Sequence, residues 1–188
     1  FFHKSKGALR FGGISNVNWD IDSLGNYSFA SGINNKASKS YATAWGVNNQ
    51  ATGINSTVWG ADNRTSSDDA TAWGIRNKAN GQRSTAWGER NTASGINSTA
   101  MGQYNTASGR SSSTMGYYNT APSFAEFVIG QFNTTYTPNR STSFNINDRA
   151  FVIGNGMHND DRSDALIVYK NGNMELNGDL RVSKNLLL

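Results

Sequence analysis

Ser84-Thr85-Ala86-Trp87-Gly88-Glu89-Arg90-Asn91-Thr92-Ala93-Ser94-Gly95 decides the reading of this chain, because its order of residue types returns every 14 positions between residues 27 and 133. A glycine closes the short apolar run each time, at Gly32, Gly46, Gly60, Gly74, Gly88, Gly102, Gly116 and Gly130. An asparagine follows three positions later, at Asn35, Asn49, Asn63, Asn77, Asn91, Asn105, Asn119 and Asn133. Self-similarity at a fixed short period marks stacked structural units and outranks any local propensity.

Two strands of about five residues joined by Gly/Asn turns fill such a period. An α-helix needs ten or more residues, and Gly and Asn recur too often to allow it. Alternation puts Ser84 and Ala86 on one side of the first strand and Thr85 and Trp87 on the other; in the second strand Asn91 and Ala93 share a side. A turn this small encloses two sheets back to back, with room for Ala and Ser but not for a Trp in every rung. The alanines therefore belong inside: Ala30, Ala44, Ala72, Ala86 and Ala100 in the first strand, and Ala37, Ala51, Ala79, Ala93, Ala107 and Ala121 in the second. That choice sends Trp45, Trp59, Trp73, Trp87, Met101 and Met115 into one outer stripe at a spacing of about 4.8 Å. Each Trp buries ~150–250 Å² when covered, so an uncovered stripe is an aggregation liability. Identical chains docked about a common axis would cover it.

The bulk composition agrees with a thin repetitive β-structure. Apolar residues make up 36% of the 188, below the ~45–50% of ordinary domains. Five Trp, nine Phe and seven Tyr nevertheless occur, many in phase with the repeat, which disorder does not require. No cysteine is present, so there is no thiol chemistry and no record of the redox compartment. No run approaches the ~18 apolar residues of a membrane span. The chain opens at Phe1 rather than Met, as expected of a processed or excised segment. A net charge of +4 with scattered Lys and Arg reads as a solvated surface and not as a nucleic-acid footprint.

Residues 1–22 lie outside the phase and read as a β-rich cap over the first rung, whose edge would otherwise be open. Residues 23–133 are the eight-unit roll. Phe127-Val128-Ile129-Gly130 has a near copy at Phe151-Val152-Ile153-Gly154, so residues 134–154 are expected to hold a looped-out insertion and a last irregular rung. In 155–188, Ala165–Tyr169 and Met174–Leu176 flank Lys170-Asn171-Gly172-Asn173, a hairpin signal, and Leu180 to Leu188 reads as a further strand.

The eight units resemble the head repeats of trimeric autotransporter adhesins, the YadA-like head, in pairing an apolar strand ending in Ala-x-Gly with a following Asn or Ser and Ala. The resemblance covers roughly residues 23–133. It implies an all-β fold, a left-handed parallel β-roll or β-solenoid assembled as a homotrimer. The implied trimer interface is Thr43, Trp45, Thr57, Trp59, Thr71, Trp73, Thr85, Trp87, Thr99, Met101 and Met115. Trp in place of a smaller aliphatic departs from that pattern. Ala165–Leu180 resembles the strand module that follows such heads in phage tail fibres and bacterial surface fibres.

Catalytic signatures are thin. His3 and His158 are the only histidines and lie far apart in sequence, which leaves no His-based triad or metal cluster within one chain. Asn159, Asp160, Asp161 and Asp164 lack EF-hand spacing and read as a solvated turn rather than a Ca²⁺ site. Asp20 with Asp22, or Asp68 with Asp69, is a weak match to a glycosidase carboxylate pair. The ladder Thr43, Thr57, Thr71, Thr85 and Thr99 is flat enough for ice binding, but a Trp beside each Thr spoils the lattice. The expectation is thus a non-enzymatic, cofactor-free trimeric adhesin head at the bacterial surface. Its expected partners are host, matrix or cell-surface proteins or glycans, with neither nucleic acid nor direct membrane insertion. A phage or injection-system tail fibre and a plain structural spacer are the alternatives. Ligand contact is expected at two outward stretches thought to break the repeat: Arg64 to Asp69, with Arg64, Asp68 and Asp69, and Thr134 to Ser143, with Tyr136, Asn139 and Arg140.

Overall fold

The computed structural model describes residues 1–15 and 19–181. Among them there is no α-helix, and each 14-residue unit is one rung of a two-sheet parallel β-solenoid. The long strand of a rung has five residues, as in Thr43–Val47, Thr71–Ile75 and Thr85–Glu89. The second strand is shorter than the sequence led us to expect, with two residues, as in Lys78–Ala79 and Thr92–Ala93. The missing length goes into two corners per rung, each turned by a residue in the left-handed region: Arg76 (φ 58°), Arg83 (φ 56°) and Arg90 (φ 55°) in the central rungs. A non-glycine residue there costs ~1–2 kcal/mol. The cost is offset where the corner amide bonds to the rung before, Arg90 N–H to Ile75 O at 2.9 Å and Arg83 N–H to Asp68 O at 3.0 Å.

Long strands stack into a 13-stranded sheet and short strands into a 7-stranded one. The register is the sequence period itself: Ala86 pairs with Ala72 and Ala100, and Trp87 with Trp73 and Met101. The interior is as read from alternation. Ala30, Ala44, Ala72, Ala86 and Ala100, with Ala37, Ala51, Ala79, Ala93 and Ala107, are wholly buried in one continuous core. Val58 takes the place of the alanine missing from that column, and Ser56 and Ser84 lie in the interior beside it.

Gly and Asn recur because they build one corner together. Gly74 has φ +106°, and a Cβ on it would lie 2.1 Å from the Gly88 carbonyl oxygen. Only glycine lets successive rungs approach that closely. The buried Asn77 amide donates to Trp73 O at 2.8 Å and Gly88 O at 2.7 Å, while its Oδ1 accepts the Asn91 backbone N–H at 2.9 Å. Repeated from Asn35 to Asn119, this ladder ties each rung to the next.

Both ends are closed by chain outside the strict phase. Ala8–Gly13 is itself a long-strand rung, its Gly12 opposite Gly32 and its Arg10 opposite Ala30. The Arg10 guanidinium replaces the core alanine and donates to Ser28 O at 3.0 Å, Ser28 Oγ at 2.8 Å and Ala37 O at 2.9 Å, satisfying groups at the open end. Burial pulls its pKa down to about 10. Trp19 Nε1 donates to Asn35 O at 3.2 Å. At the other end Arg149–Asn155 continues the parallel sheet, with Phe151 opposite Phe127 and Ile153 opposite Ile129. Asp164–Tyr169 and Met174–Leu176 then add antiparallel strands around the Asn171-Gly172 turn. The strand expected from Leu180 falls largely outside the described residues; Leu180 itself is in no strand and is exposed.

Candidate functional site

The outward face of the long-strand sheet carries two columns, one of threonines closed by apolar residues at both ends and one predominantly apolar. One runs Leu9, Phe29, Thr43, Thr57, Thr71, Thr85, Thr99, Ser113, Phe127, Phe151. The other runs Phe11, Ser31, Trp45, Trp59, Trp73, Trp87, Met101, Met115, then Ile129 and Ile153. All eleven residues that the sequence assigned to a trimer interface therefore share one face. The indoles pack on one another: Trp73 and Trp87 stack at 4.7 Å and 11°, Trp59 and Trp73 at 5.4 Å and 28°, while Trp45 meets Trp59 edge-on at 6.3 Å. Within the single chain Trp45 keeps 52% of its surface exposed and Met115 41%.

The stretch Arg64 to Asp69 does not break the repeat. Arg64–Thr65 is a short strand in register with Gln50–Ala51 and Lys78–Ala79. Asp68 Oδ1 accepts the Ile54 N–H at 2.8 Å, and Asp69 sits at a left-handed corner and accepts from Asn55 Nδ2 at 3.1 Å. Its SSDD sequence obscured a phase that the backbone keeps. Arg64 points outward and is exposed.

Thr134 to Asp148 is a true excursion with a buried seat. Asp148 accepts the Asn139 and Arg140 N–H groups at 2.7 and 2.9 Å, and the Asn139 side chain at 2.9 Å. Burial pushes the Asp148 carboxyl up, but those donors outweigh it and hold its pKa below the ordinary range. Tyr136 lies under the Arg149 guanidinium at 4.3 Å and donates to Glu126 at 3.3 Å, so it is an anchor rather than a free contact. Arg140 and Asn139 keep exposed side chains, as does Phe144 at the tip.

Sequence reasoning missed Glu126. It occupies the interior column filled by Ser84, Ser98 and Ser112 in earlier rungs, is buried, and has one oxygen with no partner. Burial raises its pKa to about 7 against the opposing pull of Ser123, Arg149 and Lys170. A carboxylate in phase with serines was the signal available. Arg149 itself pairs with buried Asp164 at 3.5 Å, and Thr134 Oγ1 also bonds Asp164, so that member of the Asp-rich stretch is a structural acceptor. Among the described residues no group of His, Cys, Asp and Glu is arranged to hold a metal ion, and no helix is long and apolar enough to cross a membrane.

A corner column adds a second ladder. Tyr104 and Tyr118 stack at 4.4 Å and Tyr118 on Phe132 at 5.0 Å, with Arg90 over Tyr104 at 5.1 Å and Arg162 over Phe132 at 5.7 Å.

With parallel rungs, an alanine interior and the Gly–Asn corner in place, the comparison with known families is specific. The family model for the YadA head domain repeat, a unit of two copies, matches residues 23–49, 37–63, 66–88 and 93–119. Residues 23–119 form a YadA-like head. The C-terminal hairpin lies outside the matched segments of this YadA-like head. No curated protein matches the chain.

Proposed function

We propose that this YadA-like head is a non-enzymatic segment of a homotrimeric adhesin, displayed outside the bacterial cell and attaching to host, matrix or neighbouring cell surfaces. The observation that carries the proposal is the long-strand face: ten parallel rungs present Trp, Met, Ile and Phe outward, while the matching interior position of the central rungs is Ala or Val. An apolar strip this continuous is covered in a stable protein. Closed rotational symmetry covers the same strip on every copy. Repeated outward surfaces on three chains then turn weak contacts into firm attachment. Sedimentation of the purified chain tests this directly. A species of three times 20.4 kDa that persists on dilution is expected, and a folded, soluble monomer refutes it.

A further inference from the structure

The head's charges are unevenly placed, and the uneven part lies away from the apolar face. Each of the seven short strands shows one residue outward. From the first rung these are Lys36, Gln50, Arg64 and Lys78, followed by threonines, with no carboxylate in any of the seven strands. Arg64 stands directly opposite Lys78 in the ladder. Like charges opposed at strand spacing destabilise a sheet. The fold does not call for them, since Thr92, Thr106 and Thr120 fill the same column with the pairing unbroken. Arg76 and Arg90, on the corner entering the short strands, bring two more cations. Their nearest carboxylates are long contacts, 3.9 Å to Asp62 and 3.7 Å to Glu89, and exposed pairs of this kind contribute little.

We propose that this face binds a linear anionic polysaccharide lying along the axis of the roll. The inference rests on the adhesin reading only in that the short-strand face stays outward when the long-strand face is covered. Arg64 and Lys78 on successive rungs, with Lys36 two rungs before Arg64 across Gln50, place charges at multiples of a pitch of about 4.8 Å, close to the advance of an extended polysaccharide per sugar ring. Gln50 and the threonines extend that line with hydrogen-bonding groups suited to hydroxyls. A lipid surface would want apolar side chains beside the cations, and this column has none. Duplex nucleic acid, with a charge per ~1.7 Å of axis, calls for a broader basic field than one column and a corner.

The test uses immobilised heparin as the probe, with neutral dextran, anionic phospholipid vesicles and duplex DNA as comparisons, at near-physiological salt. The double variant Arg64→Thr/Lys78→Thr places in the column the residue its later rungs already carry, so it folds. It should lose heparin affinity by about tenfold or more and show a shallower salt dependence. Lys39→Gln/Arg83→Gln removes the same net charge elsewhere, without putting a β-branched residue at the left-handed Arg83 corner, and should change affinity by less than about twofold. Equal losses from both pairs, no heparin binding by the parent chain, or tighter binding to vesicles or DNA each overturns the proposal. The mass of every sample is measured alongside. A monomer that still binds heparin through Arg64 and Lys78 sinks the trimer and spares this inference, whereas a trimer indifferent to both substitutions does the reverse.

Discussion

Asn77→Ala removes one step of the ladder that joins the rungs, and its cost follows from the contacts it deletes. The Asn77 amide donates to Trp73 O at 2.8 Å and Gly88 O at 2.7 Å, with a longer contact to Asn63 Oδ1 at 3.1 Å, and its Oδ1 accepts the Asn91 N–H at 2.9 Å and the Asn91 Nδ2 at 3.2 Å. At ~1 kcal/mol net for each of the three bonds shorter than 3.0 Å, the direct loss is about 3 kcal/mol. The Asn91 N–H is then left in a site without solvent access, which adds ~1–3 kcal/mol. The expected destabilisation is therefore about 4–6 kcal/mol, a large share of a typical domain's stability. Asn77→Asp keeps the size and one acceptor but points a buried charge at two carbonyl oxygens, and it should be at least as harmful. Asn80→Ala is the control, since Asn80 is exposed and accepts only the Ser66 hydroxyl through its side-chain oxygen; its effect should stay within ~0.5 kcal/mol. Denaturant titrations at one fixed chain concentration compare the three, because assembly couples to apparent stability. Hydrogen exchange at the Asn91 amide reads the same change locally. If Asn77→Ala falls within ~1 kcal/mol of the control, or Asn91 keeps its protection, the ladder is not what holds the corners.

Trp73→Ala should leave each roll folded, since the indole lies outside the core and stacks only on Trp59 and Trp87 at 5.4 and 4.7 Å, yet weaken assembly by ~3–5 kcal/mol through lost buried area, read as a shifted dissociation midpoint in sedimentation. Glu126 gives a pH dependence of defined sign: its pKa rises from the ordinary 4.5 to about 7 on folding, so the folded chain holds a proton that the unfolded chain releases. That contribution is complete below about pH 4.5 and is lost as the pH rises through about 7, ~3 kcal/mol in all. Glu126→Gln should flatten this decline in melts taken across the window, and an unchanged slope would show that another group titrates. Removing the tip 142–147 of the insertion, which spares Tyr136 as well as Asn139 and its partner Asp148, should leave the assembly folded and reduce attachment to cells or matrix; full attachment by an intact trimer would favour a spacer.

The period, the facing and the register were all legible because they are one fact. A residue 14 positions away is the residue next door, so any repeat in side-chain size is at once a repeat in packing. The short second strand was not legible, because the corner residues on either side of it, such as Arg76 before and Arg83 after Lys78–Ala79, adopt left-handed backbone without being Gly or Asn. Propensity gives Arg no such signal; the bond from its N–H to the rung before supplies the reason, and that bond exists only once the rungs are stacked. The N-terminal rung was hidden likewise. Gly12 and Gly32 stand in one column although 20 positions apart, and buried Arg10 replaces the alanine that would have marked the phase. Arg64 to Asp69 misled in the opposite way, since a polar run without glycine looks like an interruption while Thr65 fills the core position of Ala51 and Ala79.

The fold and the surface answer to separate constraints in this architecture. Inside, Gly74 is held by a carbonyl that a Cβ would strike, Asn77 by hydrogen bonds to the rungs on both sides, and Ala72 by the width between two sheets. Outside, the same backbone carries Trp87, Met101 or Ile129 at one position of the long strand, and Lys78 or Thr92 at one position of the short strand. An outward substitution meets only its own column, above and below, so its energetic effect stays within neighbouring rungs. A basic column over the first rungs and a threonine column over the later ones can therefore coexist without altering the roll. Binding character in such a head is set column by column and rung by rung, while the interior keeps the rungs in register.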